Sequence, residues 1–102
     1  MKLAYRKQCG PYVAECLINR HSHFFEVYRL YVPPWHRRQG IAADLMRRVM
    51  AAADKENARL ALLPSAFGSM DTAELEKWYS RLGFVYDRDS YYMFREPQRE
   101  AK

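Results

Sequence analysis

The sequence has few cysteines and no long apolar run, and both absences exclude classes of protein. Cys9 and Cys16 are its two cysteines, and their spacing fits no paired metal or redox motif, so we predict buried free thiols. No segment approaches the roughly 20 apolar residues of a membrane span, and the N-terminus lacks the basic stretch and apolar run of a signal peptide. We therefore expect a cytoplasmic protein that does not enter a membrane.

Patterns for metal binding and for linked domains are also missing. None of the three histidines pairs with Asp, Glu or Cys at metal-ligand spacing, so we expect no metal. His21 and His23 fall in a predicted turn, where we expect them to be solvated. With no repeat, low-complexity stretch or linker, the chain predicts a single domain over residues 1–102, with a charged, frayed tail at about 97–102.

What the chain does have is a basic surplus confined to its first half. Hydrophobic residues make up 49% of the sequence, which predicts a folded globule, and the net charge is +5. Residues 1–50 carry nine Lys and Arg against three acidic residues, whereas residues 51–102 carry eight against nine. A basic half suits nucleic acid, an acidic protein partner or a phosphate-bearing cofactor, and charge alone does not choose among them.

Hydrophobic periodicity predicts an α/β fold, or α+β in some schemes. Six extended segments are predicted at residues 3–7, 12–18, 24–32, 59–63, 84–86 and 91–94. Apolar residues three and four apart predict one helix over 41–57 and a second that ends at Gly83. The order is β-β-β-α-β-α-β-β, and the unit 24–63 implies parallel neighbours in a mixed sheet of about six strands with two main helices.

The turn Arg37-Arg38-Gln39-Gly40-Ile41-Ala42 opens the first helix and has the chemistry of an anion site. The first N–H groups of a helix have no internal partner, and the helix dipole adds partial positive charge there. Two arginines add charge and a bidentate fork for phosphate oxygens, and Gly40 lets a bulky ligand approach the backbone. The structural alternative is an ordinary strand-to-helix turn with exposed arginines.

This turn and a second motif together resemble the GNAT superfamily of acyl-CoA-dependent N-acyltransferases. The family's pyrophosphate motif is Gln/Arg-x-x-Gly-x-Gly/Ala, which residues 37–42 match. Its late helix commonly ends in aromatic-Tyr-x-x-x-Gly-Phe, which Trp78-Tyr79-Ser80-Arg81-Leu82-Gly83-Phe84 matches. The resemblance covers roughly residues 12–95, and it implies a single GNAT-like domain.

The resemblance implies acetyl-CoA as the cofactor and assigns its contacts. The backbone N–H groups of Arg38, Gln39, Gly40, Ile41, Ala42 and Ala43, with Arg37 nearby, would hold the pyrophosphate. The main chain of Leu30, Tyr31 and Val32 would pair with the pantetheine arm along a splayed sheet edge. One N–H there, that of Val32, would face the acyl carbonyl, which becomes an oxyanion during transfer.

The same resemblance implies two catalytic residues. Tyr79 matches the family's general acid, which protonates the leaving thiolate, although it also fits a core tyrosine on the apolar stripe of its helix. Glu26 lies 11 residues before Arg37, the offset at which some protein-lysine acetyltransferases of the family carry a general base. The alternatives for Glu26 are a sheet residue in water or a partner of Arg29, with the base replaced by a water chain or an amine of lowered pKa.

The chain departs from the family by lacking the usual N-terminal strand and helices that wall off the acceptor site. An open groove suits a macromolecular amine, so we expect an N-acetyltransferase acting on a lysine of a protein, and a homodimer would be one way to rebuild the wall. Two alternatives stay open. One is a non-catalytic module of the same fold that binds coenzyme A or docks to a protein. The other, less favoured, is a nucleic-acid-binding domain, for which no recognised motif is present.

Overall fold

A mixed six-stranded sheet and two helices form the described part of the protein. The computed structural model describes residues 2–33, 40–64 and 72–98. In chain order the elements are β1 (Lys2–Cys9), β2 (Tyr12–Arg20), β3 (Phe24–Tyr31), α1 (Ile41–Lys55), β4 (Arg59–Leu62), α2 (Thr72–Arg81), β5 (Val85–Tyr86) and β6 (Met93–Arg95). The predicted fold class and element order are confirmed.

The strands lie in the order β1-β2-β3-β4-β6-β5. β3 and β4 are parallel, as the βαβ unit requires, and every other neighbouring pair is antiparallel. β6 therefore inserts between β4 and β5, so that the last strand of the chain lies inside the sheet. This insertion was not predicted from the sequence.

Both helices bury their apolar stripes in a single core. The stripe of α1 consists of Ile41, Leu45, Met46, Val49 and Ala53. These residues join Leu75 and Tyr79 of α2 and the inward side chains of β2, β3, β4 and β6 in one cluster. Each fully buried Leu, Val or Met contributes roughly 1.5–3 kcal/mol relative to exposure, so this face of the sheet supplies most of the stability.

The other face of the sheet carries no helix within the described segments. Phe25 and Val27 are buried in the core, and Glu26 between them is half-buried and points to the opposite side, because successive strand residues alternate. Arg29 and Tyr31 share that second face, where the guanidinium of Arg29 lies 5.1 Å from the centre of the Tyr31 ring. The uncovered face is therefore aromatic and charged rather than purely apolar.

Some predicted boundaries were wrong by one or two residues, with identifiable causes. β2 runs to Arg20 instead of residue 18, because pairing with β3 continues to Arg20 opposite Phe25. β5 begins at Val85 instead of residue 84. β6 begins at Met93 instead of residue 91, because Asp87 forms a turn with Tyr91 and Tyr92. The N–H of Asp87 donates to the carbonyl of Tyr92 at 2.8 Å, and the N–H of Tyr91 donates to the carbonyl of Asp87 at 2.9 Å.

An ion pair ties the end of the chain to α1. Asp54 accepts hydrogen bonds from Arg95 at 2.8 and 3.2 Å and from the backbone N–H of Gln98 at 2.9 Å. Gln98 thus belongs to the ordered domain although it falls in the predicted frayed tail, and residues 99–102 lie outside the described ones. None of the helices in residues 2–33, 40–64 and 72–98 is long and apolar enough to cross a bilayer.

Candidate active site

A gap opens between the two parallel strands of the sheet. β3 and β4 pair over four residues, from Phe24 opposite Arg59 to Val27 opposite Leu62. β4 then ends, whereas β3 continues to Tyr31. Beyond Val27, the described strands leave the β4-facing edge of β3 without a strand neighbour. A backbone edge of this kind is available to an extended ligand.

A β-bulge in β3 lies where the gap begins. On β2, Leu17 pairs with Arg29 and Ile18 pairs with Val27, so Tyr28 is the extra residue. A bulge increases the twist of a strand and bends it, which accounts for the divergence of β3 from β4. Leu30 and Tyr31, two of the predicted pantetheine contacts, follow the bulge and pair with β2 on their other edge.

The N-terminus of α1 is where the anion site is predicted. Gly40 precedes the helix with φ of 76°, a left-handed conformation that favours glycine, and no side chain of the described residues caps this end of the helix. Within residues 2–33, 40–64 and 72–98, nothing lies within 4 Å of a Cβ added at Gly40, so these segments leave room beside it. Of the predicted phosphate contacts, Gly40, Ile41, Ala42 and Ala43 are described, and Arg37, Arg38 and Gln39 lie outside the described residues.

Tyr79 lies in the core, on the face of the sheet that the helices cover. It is completely buried, with its ring centre 4.9 Å from that of Trp78 and 5.7 Å from that of Phe84. Burial, and secondarily the nearby Cys16, raises the pKa of Tyr79 well above its ordinary value. Cys16 lies opposite Leu30 in the sheet. The phenol therefore keeps its proton.

The two cysteines are free and buried, as predicted. Burial raises the pKa of the Cys16 thiol to about 12, so the thiol stays protonated near neutral pH. Cys16 is thus a packing residue next to Tyr79 and has no character of a nucleophile.

Glu26 lies at the mouth of the gap on the opposite face. It is level with Ala61, one residue before the last β3–β4 pair. The phenol of Tyr92 donates to its Oε2 at 3.3 Å, and the His21 Nε2 lies 3.5 Å from its Oε1. The suggested pairing of Glu26 with Arg29 is wrong, because Arg29 donates to Glu15 at 3.0 Å instead.

The two predicted catalytic side chains therefore lie on opposite faces of the sheet, Tyr79 in the core and Glu26 on the other face. A protonated phenol can supply a proton, and a carboxylate can accept one. The contacts of His21 and Tyr92 with Glu26 were not predicted from the sequence. Had β2 been predicted to reach Arg20, its hairpin with β3 would have brought His21 beside Glu26.

Comparison with known proteins gives one family and several similar structures. The model of the Acetyltransferase (GNAT) domain matches residues 4–86. The fold is similar to that of the anti-CRISPR protein AcrVA5, with a TM-score of 0.68, 18% identity, and coverage of 89% of this chain and 96% of that one. It is also similar to an acetyltransferase of the GNAT family from Staphylococcus aureus Mu50, with a TM-score of 0.62 and 17% identity. That match covers 83% of this chain and 60% of the staphylococcal chain. No curated protein matches the sequence.

Proposed function

The chain belongs to the GNAT acetyltransferase family, and from this premise we propose that it transfers the acetyl group of acetyl-CoA to a primary amine, a lysine of a protein substrate. The observation that carries the proposal is the gap between β3 and β4, with Tyr79 buried on one side and Glu26 half-buried on the other. An acyl transfer needs an acid for the leaving group and a base for the amine, and these two side chains provide them.

The donor is held by backbone groups. The main chain of Leu30, Tyr31 and Val32 binds the pantetheine arm along the β4-facing edge of β3, as an added strand would bind. The N–H groups from Gly40 to Ala43 hold the pyrophosphate, with Arg37, Arg38 and Gln39 completing the cradle. The open space beside Gly40 fits this assignment, because a phosphate must come close to the backbone there.

Acetyl-CoA supplies an activated thioester carbonyl, and the protein supplies the groups around it. Glu26 removes a proton from the attacking amine, which must be neutral to react, since free lysine has a pKa of about 10.4. The main-chain N–H of Val32 donates to the carbonyl oxygen as negative charge develops. Tyr79 donates its proton to the departing sulfur. Burial raises the pKa of Tyr79, so the phenol is protonated before the reaction.

The absence of a helix over the Glu26 face of the described sheet favours a large acceptor. A small amine would need walls to orient it, whereas a lysine on a folded protein brings its own surface. One of the similar structures is an anti-CRISPR protein, which also favours a protein rather than a metabolite as the target. Glu26 lies on this uncovered face, where a lysine side chain can reach it.

The test is thiol release from acetyl-CoA in the presence of a dialysed cell lysate, with acetylated lysines identified by mass spectrometry. We expect thiol release that depends on lysate protein, and acetyl groups on few lysines. Faster acetylation of added polyamines than of any protein lysine would overturn the assignment of the acceptor. If the protein binds acetyl-CoA but releases no thiol from it with any amine as acceptor, the protein is a non-catalytic module instead.

A further inference from the structure

The Glu26 carboxylate is contacted on each oxygen by a different side chain. Tyr92 donates to Oε2 at 3.3 Å, and His21 Nε2 lies 3.5 Å from Oε1. Asn19 on β2 and Ala61 on β4, the two neighbours of Glu26 across the sheet, carry no charge. Among the described residues, His21 and Tyr92 are thus the titratable groups that face the carboxylate directly.

Both partners are fixed by contacts of their own. The backbone N–H of His21 donates to the carbonyl of Phe24 at 2.9 Å, and its ring stacks on the Phe24 ring with centres 4.4 Å apart and planes 19° from parallel. The Tyr92 ring lies 6.2 Å from that of Phe94 in a stacked arrangement. Side chains held in this way keep the carboxylate oriented before any substrate binds.

His21 also borders a polar cleft on its other side. The cleft has a volume of about 330 Å³ and lies where the β2–β3 turn meets the C-terminal end of α1. Its walls are formed by Arg20, His21, Ser22, His23, Phe25, Glu56, Asn57 and Ala58, and an Arg20–Glu56 ion pair lies among them. The N-terminus of α1, assigned to the pyrophosphate, is at the opposite end of the helix. The cleft therefore stays open to water while the donor is bound.

We propose that His21 relays the proton that Glu26 takes from the amine to water in this cleft, and that Tyr92 is a positioning residue holding the carboxylate for that transfer. The inference rests on the proposed function, since it assigns the exit of the proton that acyl transfer releases. It extends the site by two residues and gives it a second opening, away from both substrates.

The steps balance in protons and bonds. Oε1 of Glu26 takes one proton from the lysine ammonium and leaves a neutral amine. The amine nitrogen forms the C–N bond to the acetyl carbon, and the C–S bond breaks as sulfur takes the proton of Tyr79. The second proton that the nitrogen loses passes to the Tyr79 phenolate and restores the phenol. Oε1 passes its proton to Nε2 of His21. His21 releases a proton to water in the cleft, and its ring returns to its starting form by exchange with that water, so that one proton leaves the site in each turnover.

The state of Tyr92 supports its role as a donor. Partial loss of solvent, followed by the charge of Glu26 and the hydrogen bond to it, raises the pKa of the Tyr92 phenol. The phenol therefore stays protonated and holds Oε2, which leaves Oε1 for His21. On the same face, Lys2 of β1 lies over the ring of Tyr28, 5.7 Å from its centre, rather than at the carboxylate.

The experiment compares His21→Gln with His23→Gln, a matched control on the same turn and in the same cleft. With saturating acetyl-CoA and dialysed lysate protein, we expect His21→Gln to lower the rate of thiol release on the order of tenfold. Added imidazole should restore that rate, because it replaces the missing relay, and the KM for acetyl-CoA should not change. His23→Gln should behave as the wild type. Tyr92→Phe should also be slower, but without rescue by imidazole.

Different failures are distinguishable. A wild type that releases no thiol overturns the proposed function and the relay with it. An active wild type with an equally active His21→Gln variant, or a loss that imidazole does not restore, overturns the relay alone. A second measurement needs no turnover: in NMR spectra at one fixed pH, Glu26→Gln should shift the imidazole resonances of His21 and leave those of His23 unchanged. Unchanged His21 resonances would contradict the proposed contact.

Discussion

Replacing Tyr79 by phenylalanine separates catalysis from stability, because it removes one hydroxyl and keeps the ring. The ring is completely buried between Trp78 and Phe84, and phenylalanine preserves both contacts. Loss of the hydroxyl lowers the free energy of unfolding by about 1 kcal/mol, which corresponds to a decrease in Tm of roughly 4–8 °C for a domain of this size. At 25 °C the variant therefore remains folded.

The catalytic loss should be much larger than the loss of stability. A positioned general acid contributes about 10²- to 10⁴-fold, so the transition state loses at least about 2.7 kcal/mol of stabilisation in Tyr79→Phe. Because the proposed role of the phenol is to protonate the leaving sulfur, the Kd of acetyl-CoA should stay close to that of the wild type.

The assay is steady-state thiol release together with calorimetric binding of acetyl-CoA, and the control is Tyr86→Phe. Tyr86 lies on β5, and 37% of its surface is exposed, so its hydroxyl has no part in the proposed chemistry. A Tyr79→Phe variant that stays within about threefold of the wild-type rate would refute the acid role and leave Tyr79 as a core residue.

Two further predictions concern the backbone at the anion site and the ion pair at the end of the chain. Gly40→Ala should cost about 1 kcal/mol through its left-handed φ of 76° and weaken acetyl-CoA binding roughly tenfold in calorimetry, whereas Gly83→Ala, at φ of 103°, should cost stability alone. Equal affinities in the two variants would contradict the assignment. For Asp54, partial burial opposes ionisation, but hydrogen bonds from Arg95 and Gln98 and the charge of Arg95 outweigh it, so the pKa is lowered. A lowered folded pKa stabilises the protein above the unfolded value of about 3.9, and this contribution is lost as pH falls through the folded pKa. Asp54→Asn should therefore cost about 2 kcal/mol in urea unfolding at neutral pH and much less near pH 3, and equal costs at both would refute this account.

Local signals in the sequence predicted the elements that carry the donor site. Apolar residues spaced three and four apart specify α1 and its start at Ile41, and Gly83 ends the second helix with a φ of 103°. The parallel pairing of β3 with β4 followed from the helix between them. These features depend on residues close together in the chain, so that one sequence is enough to predict them.

Features that depend on long-range register could not be predicted. The insertion of β6 between β4 and β5 involves strands of three and two residues, too short for a pattern to specify their partners. The bulge at Tyr28 leaves no local mark in the sequence. Tyr92 is 66 residues from Glu26 in the chain, and its contact exists only because β6 pairs with β4. His21 is exposed, as predicted, but its contact with Glu26 depends on β2 running to Arg20 and was not predicted.

Calorimetric titration of the purified protein with acetyl-CoA tests the central claim most directly, namely that the gap between β3 and β4 and the N-terminus of α1 form one donor site. We predict one molecule bound per chain with a micromolar Kd, about −8 kcal/mol, and a clear loss of affinity in Gly40→Ala. No heat of binding at millimolar acetyl-CoA, or an affinity that Gly40→Ala leaves unchanged, would contradict the account.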